Sequence, residues 1–461
     1  MLVNSLNLWK AVLLLSGTWS TESEQSKRRK VVEKLNGSPY NEHHEIFLLL
    51  TGCLVGVFGQ CFKDVDRIPT KQKLTFGMDH FFAASNQFSL RLLQALNTTR
   101  DTFFSPFSVW SSLVLVYLGS KGTTEKELEG VLSIHGMDKN IVAHSYQSLK
   151  SWFSTRIKTS SFAMRNNLFL QKDIKIHSCL LPFIKDDLAY TDFQENPELA
   201  RIAINFLIQR QTKDKIKEIL PPNSIHMFTQ FIVTSTMYFK GSWLQPFLPQ
   251  STRPGLFFTS HFEYLLVDMM VSHDTFPYAV SDELQCTAIE MPYAGKSLTM
   301  VVMLPKNKAH GVQILISSLT LTRLNNMMED MFPREIVLAL PKFQMEDSFQ
   351  LSPTLLKLGL RDLVTGAVNL TGFTKDKMLE INAVYHKARI TVDEQGTEAS
   401  AATATAYPRR SHATKILDYI VDRPFVFFIR ENHSHSILFI GVVRHPRLLN
   451  SLGFHYYSEQ L

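Results

Sequence analysis

Cysteine is scarce: four in 461 residues cannot make a disulfide scaffold, and none stands at the spacing of a zinc site. Cys53 falls in an apolar N-terminal stretch, which leaves Cys61, Cys179 and Cys286, an odd set expected to be buried or free thiols. Metal chemistry has no other foothold, because His43-His44-Glu45 lacks a second His four residues on. A Gly-x-Ser-x-Gly elbow is missing, as is a Gly-rich loop to cradle phosphate. The scattered Ser, His and Asp residues form no motif, so neither an enzyme nor a bound metal is expected. After residue 65 no repeat, low-complexity linker or Pro or Gly/Ser tract breaks the chain, which points to one continuous domain over 75–450. A large excess of one charge is also absent. Lys+Arg 48 against Asp+Glu 42 gives +6, part of it in Lys27-Arg28-Arg29-Lys30, which is no footprint for nucleic acid.

No apolar run approaches the roughly 20 residues that cross a bilayer. Ile46 to Phe58 instead has the length of a signal h-region, with small residues at Val57-Phe58-Gly59, while Ala11 to Leu15 is shorter. Secretion with cleavage near residues 56–60 is therefore expected, with 1–60 as an N-terminal extension and signal segment and no membrane attachment afterwards. Sequons at Asn97, Asn369 and Asn432 fit a secretory route, and a fourth at Asn36 would be lost on cleavage.

What is present is a large apolar content, 45% hydrophobic with 11% aromatic, which excludes a mainly disordered chain. The first third reads helical. Phe81 to Leu96 has helical spacing, and Ser105-Pro106 opens an apolar run, Val109 to Leu118, that Gly119 and Gly122 close. Glu125 to Leu132 and Val142 to Phe153 look like surface helices, and Glu198 to Leu220 like a long amphipathic one stopped by Pro221-Pro222. Strand patterns occupy Phe162 to Leu170, Phe231 to Phe239, Thr287 to Met291, Leu298 to Leu304, Ile336 to Leu340, Val384 to Val392, Phe425 to Ile429 and Ile437 to Val443. Helices first and strands later predict an α+β fold with mixed sheets.

The most informative stretch is Glu394-Gln395-Gly396-Thr397-Glu398-Ala399-Ser400-Ala401-Ala402-Thr403-Ala404-Thr405-Ala406, followed by Tyr407-Pro408-Arg409-Arg410-Ser411. Exposed small residues leading to a dibasic site are protease bait. The same small and β-competent residues also fit between neighbours as a buried strand.

Several segments, in order, resemble the serpins over roughly residues 80–448. Phe104-Ser105-Pro106-Phe107-Ser108 with Leu118-Gly119-Ser120-Lys121-Gly122-Thr123 is similar to the family's second helix and its exit. Ile204-Asn205 with Thr212-Lys213-Asp214-Lys215-Ile216 resembles the helix over the main sheet, and Tyr238-Phe239-Lys240-Gly241-Ser242-Trp243 with Phe247 the strand end beside the breach. Glu290-Met291-Pro292-Tyr293, Met303-Leu304-Pro305, Arg423-Pro424-Phe425-Val426-Phe427 and Ile437-Leu438-Phe439-Ile440-Gly441 match later strands. The resemblance implies three β-sheets, about nine helices and an exposed reactive-centre loop, here 394–415. It makes Glu394, Gly396, Thr397, Glu398, Ala399, Ser400, Ala401 and Ala402 the hinge. The cleaved bond falls at Arg410–Ser411, with Arg409–Arg410 as the alternative.

It also implies a shutter of Ser105, Ser108, Ser235 and His386. Ser235 stands where Asn is usual, so its shorter hydroxyl is expected to weaken the bonds that hold the sheet shut unless a water substitutes. Leu207 replaces a usual Trp, and Val442 a usual Arg. Lys150, Arg156 and Lys158 stand where some serpins bind sulfated glycans, although a solvated basic face is the plainer reading. The function implied is a secreted, monomeric suicide inhibitor that forms a covalent complex with a trypsin-like serine protease. The alternative is a non-inhibitory carrier or chaperone.

Overall fold

A computed structural model describes residues 61–447, apart from 63–64, 66, 158–160, 261, 309, 376–378 and 397–415, together with 457–458. All described residues lie in the unit Gln60–Leu461. The expected signal segment lies outside them, as does the reactive loop beyond Gly396.

Helix α1 spans Lys71–Ala95 and starts ten residues before the apolar periodicity does, because Thr70 caps it by accepting from Lys73 N and its opening residues, Lys71, Gln72 and Lys73, are polar and exposed. After the short strand β1 (Thr102–Phe104), Ser105 caps α2 (Pro106–Gly119) by accepting from Ser108 N at 3.1 Å, with Pro106 in the first turn. Every residue of α2 is buried. Gly119 is its last residue, and only glycine fits there because a Cβ would sit 2.0 Å from the Phe373 ring. Next come α3 (Gly122–Leu132), α4 (Lys139–Arg156), β2 (Ser161–Gln171), the single turn α5 (Leu181–Ile184) and β3 (Leu188–Thr191).

Helix α6 covers Pro197–Gln211 and stops nine residues short of the expected Leu220. Lys213 and Asp214 take positive φ, and the chain folds back so that Asn205 Oδ1 accepts from both Ile219 N and Leu220 N at 3.0 Å. The amphipathic pattern continued there because residues of the folded-back segment return to the same core.

Strand β4 (Phe231–Lys240) leads to β5 (Arg253–Phe258), β6 (Glu263–Ser281), β7 (Cys286–Pro292) and β8 (Leu298–Pro305). Helices α7 (Gly311–Ser318) and α8 (Leu321–Glu329) precede β9 (Phe332–Pro341) and β10 (Phe343–Gln350). The remainder is α9 (Ser352–Leu358), α10 (Asp362–Thr365), β11 (Ile381–Val392), β12 (Leu417–Ile420), β13 (Phe425–Glu431) and β14 (Ile437–Val443). Each expected strand falls within one of these. The 19-residue β6 and the polar β10 went unread, because Asp, Ser, His and Glu dilute their alternation.

One sheet has the order β10-β11-β4-β2-β3. The other strands form a single hydrogen-bonded network, β1-β14-β13-β8-β7-β6-β9-β12 with β5 on β6. Two of the three implied sheets are thus continuous here, because β6 pairs with β5 and β9 along its length and with β7 at its end. Helix α2 packs against β2 and β4 of the five-stranded sheet and against β14 of the larger network. Phe103 stacks on Phe439 at 5.4 Å, which ties β1 to the C-terminal strands. Helix α6 lies over β2 through Ile204 and Ile208, which share a buried cluster with Phe169, Ile232 and Tyr385.

Candidate functional site

The site follows from how β11 sits beside β4. These strands run parallel over eight register pairs, from Ile381↔Phe231 to Arg389↔Tyr238, with an irregularity between Ile381 and Ala383. Ile390, Thr391 and Val392 of β11 and Phe239 and Lys240 of β4 lie beyond the last pair, so the ladder ends before either strand does.

Halfway down, His386 pairs with Ser235 and both point inward. Ser105 N donates to His386 Nε2 at 2.9 Å. A backbone N–H can only donate, so Nε2 is unprotonated and the neutral ring carries its proton on Nδ1. Nδ1 then donates toward Ser235, with Oγ at 2.9 Å and the carbonyl at 3.0 Å. The serine hydroxyl therefore reaches the ring directly, and the expected shortfall in length does not arise. Complete burial drives the His386 pKa down to about 3.

Ser108 Oγ reaches Asn166 Oδ1 at 3.3 Å on β2 and Thr236 O at 3.5 Å on β4. The network extends past the four expected residues. Asn166 Nδ2 donates to Ser111 Oγ at 2.8 Å, and Tyr146 OH donates to Asp187 Oδ2 at 3.0 Å. Burial and that carboxylate push the Tyr146 phenol well above its usual range. Asn166, Ser111, Tyr146 and Asp187 were missed. No local signal marked them, since Asn166 stands in the polar run Arg165-Asn166-Asn167 of β2 like any other strand polar residue.

At the top of β11 the chain turns through Asp393–Gly396 against the segment after β4. Trp243 N donates to Gln395 O at 3.2 Å, Phe247 N to Glu394 O at 2.9 Å, and Trp243 Nε1 to Asp393 O at 2.9 Å. Gly396 has φ +88°, and a Cβ there would lie 2.5 Å from Gly241 O and from Trp243 N, so only glycine fits. Glu394 accepts from Thr252 Oγ1 at 2.7 Å and pairs with Lys342 Nζ at 3.0 Å. Burial opposes its ionisation, but these two partners outweigh burial and hold the carboxyl below its ordinary range. Two of the predicted hinge residues are thus part of an anchored base. Thr397, Glu398, Ala399, Ser400, Ala401 and Ala402, and the bond Arg410–Ser411, lie outside the described residues.

The other predicted sites separate. Lys158 and the side chain of Lys150 lie outside the described residues, while the Arg156 guanidinium rests 3.6 Å over the Trp152 ring. Asn97 is exposed. Asn369 is half-buried, and its Oδ1 accepts from Thr371. Asn432 is engaged, since Nδ2 donates to Lys296 O at 2.8 Å and Thr299 Oγ1 at 2.9 Å, the nitrogen a glycan would need. The cysteine expectation holds for Cys286 and is corrected for Cys61 and Cys179. Cys61 and Cys179 form a disulfide and Cys286 is a buried thiol, because the arm before α1 crosses to the loop between β2 and α5. Phe62 meets the Phe183 ring at 6.0 Å, and Asn140 Nδ2 donates to Arg67 O. Among the described residues no cluster of His, Cys, Asp and Glu could hold a metal ion.

The described site is thus a five-stranded sheet with the parallel pair β11–β4 inside it, a buried polar network beneath that pair and an anchored turn, Asp393–Gly396, at its top. The chain belongs to the serpins: residues 83–446 match the model of the Serpin (serine protease inhibitor) family. It is 34% identical over 382 residues to the pig (Sus scrofa) leukocyte elastase inhibitor and 32% identical over 391 residues to human Serpin B4; each alignment takes in 80% of this chain and all of the relative. Among solved structures, maspin superposes with a TM-score of 0.74 at 24% identity, over 80% of this chain and all of maspin. Human thyroxine-binding globulin gives 0.70 at 26% identity, over 80% of this chain and 99% of that one.

Proposed function

We propose that this serpin is a secreted suicide inhibitor of trypsin-like serine proteases, cleaved at Arg410–Ser411. The observation that carries the reading is the β4–β11 ladder. A strand turning back at Gly396 runs antiparallel to both neighbours, so its entry replaces eight parallel pairs by two antiparallel ladders, the slightly stronger kind per residue. Residues Thr397 to Ala406 contain no Pro and, apart from Glu398, only small or β-branched side chains. Glu398 is tolerated on the solvent face.

A trypsin-like protease takes Arg410 into its acidic specificity pocket, its serine attacks the Arg410 carbonyl, and the amine of Ser411 leaves. Thr397 to Arg410, now tethered only at Gly396, enters between β11 and β4 as a new strand. Fourteen extended residues span about 46 Å at roughly 3.3 Å each, so the acylated protease is carried a comparable distance. Compression against the inhibitor displaces its catalytic groups, and a misplacement of about 1 Å can cost ~100-fold in deacylation. The ester then persists. Trypsin-like specificity rests on Arg410 and Arg409 alone. Secretion is supported by the apolar stretch Ile46 to Phe58, by the disulfide that begins at Cys61, and by the exposed sequon at Asn97. A sulfated-glycan contact at Lys150, Arg156 and Lys158 is a subsidiary proposal, tested by elution from immobilised heparin.

The carrier reading draws on the likeness to thyroxine-binding globulin. Mixing the protein with trypsin and running a denaturing gel separates the two. A heat-stable band at the summed mass supports trapping, and sequencing the released peptide places the bond. Ala399→Pro is expected to leave cleavage intact and abolish that band. Clean cleavage of the unaltered protein without the band sinks the inhibitory reading.

A further inference from the structure

Helix α6 has two apolar faces, and among the described residues only one is covered. Ala200, Ile204 and Ile208 are buried against the sheet. On the opposite side Leu199, Ile202, Ala203 and Phe206 recur at helical spacing, with Leu199 61%, Ile202 50% and Phe206 58% exposed. Single surface hydrophobics are ordinary, but a stripe of four marks a contact surface.

The stripe runs between ends of opposite charge. Asp192 and Glu195 precede the helix and Glu198 opens it. Lys172 serves both Asp192 and Glu195, and Arg201 is shared by Glu198 and Glu218, which leaves an acidic excess. Arg210 closes the helix, and Lys213, Lys215 and Lys217 follow it, with Asp214 engaged by Gln209 Nε2. Arg210 lies 5.9 Å from the Phe206 ring centre, at the rim of the stripe.

An acidic end, an apolar middle and a basic end along one line make a surface complementary to itself turned end for end, the requirement of a two-fold interface. We propose that the outer face of α6 is a homodimer surface, on which two copies pair antiparallel about an axis between Ile202 and Ala203. This register sets Leu199 against Phe206 of the second copy, Glu195 against its Arg210, and Asp192 against its Lys213. One helix face is small, so the dimer belongs to the weak, reversible class. A foreign helix would need this pattern in reverse, whereas a second copy already carries it. The pairing is independent of protease trapping and departs from the expected monomer.

Sedimentation velocity on the full chain tests it, with thermal unfolding as the control for folding. The unaltered protein is expected to shift toward dimer as its concentration rises to the order of 100 μM. Phe206→Asp is expected to abolish the shift. Glu195→Arg and Arg210→Glu, both at exposed positions, should each weaken association about tenfold, since every change counts twice across a two-fold axis. Combined in one chain they should restore it. An unaltered protein that stays monomeric throughout, whether or not it captures another helix, overturns the proposal. So does a dimer that ignores all three substitutions.

Discussion

Strand β4 has two neighbours that differ in kind. With β2 it pairs antiparallel along its whole length, from Ser161↔Lys240 to Leu170↔Phe231. With β11 it pairs parallel, through an irregularity, and the ladder stops at Arg389↔Tyr238. The β2 side is reinforced from outside: α6 covers it, Asp187 O accepts from Leu168 N, and the Cys61–Cys179 disulfide ties the next loop to the N-terminal arm. The β11 side is held by local polar contacts, His386 beneath and the Asp393–Gly396 turn above. If the sheet opens, it opens between β4 and β11, because fewer and slanted bonds must break there.

The comparison can be broken from either side. The largest effect is expected from the strong side: Cys61→Ser with Cys179→Ser removes a cross-link across 118 residues and should cost about 4 kcal/mol in chemical denaturation under oxidising conditions. On the weak side, His386→Ala strips Ser105 N–H of its acceptor and leaves a cavity, worth about 3 kcal/mol.

Acid should act on the same residue more gently. The native pKa of His386, about 3, lies below the ordinary 6.5, so the fold holds the neutral ring. Its contribution is complete above about pH 6.5 and is lost progressively as pH falls toward 3, by about 2 kcal/mol at pH 5. A protonated Nε2 could no longer accept from Ser105 N. Melting curves against pH should show this slope in the native protein and not in His386→Gln; equal slopes would refute the assignment. The smallest effect is expected at the top of β11. Glu394→Gln keeps the Thr252 contact and loses the charge opposite Lys342, for about 1 kcal/mol, with faster hydrogen exchange confined to the amides of 243–247.

The five longest helices, eight of the strands and the base of the loop were legible because each depends on local pattern: apolar spacing in α2, a Ser-Pro start, a glycine before small residues. The shutter residues came from resemblance, since nothing local distinguishes Ser235 from any other strand serine. Asn166, Tyr146 and Asp187 were illegible because their roles exist only where β2, α4 and the turn before β3 meet. Asn432 satisfies the sequon rule, yet its amide is spent on Lys296 and Thr299. An acceptor motif says nothing about who already holds the nitrogen.

The sequence by itself determined the α+β succession, the small-residue composition after residue 396 and the single glycine at 396 on which the chain turns, because these follow from backbone preference and side-chain size within a few residues. Only the tertiary structure decided that Cys61 finds Cys179, that His386 is neutral with its proton on Nδ1, and that one stripe of α6 is buried while the opposite stripe, equally apolar, faces outward. Those outcomes depend on which distant surfaces exclude water from a group, and that is settled by packing across the whole chain.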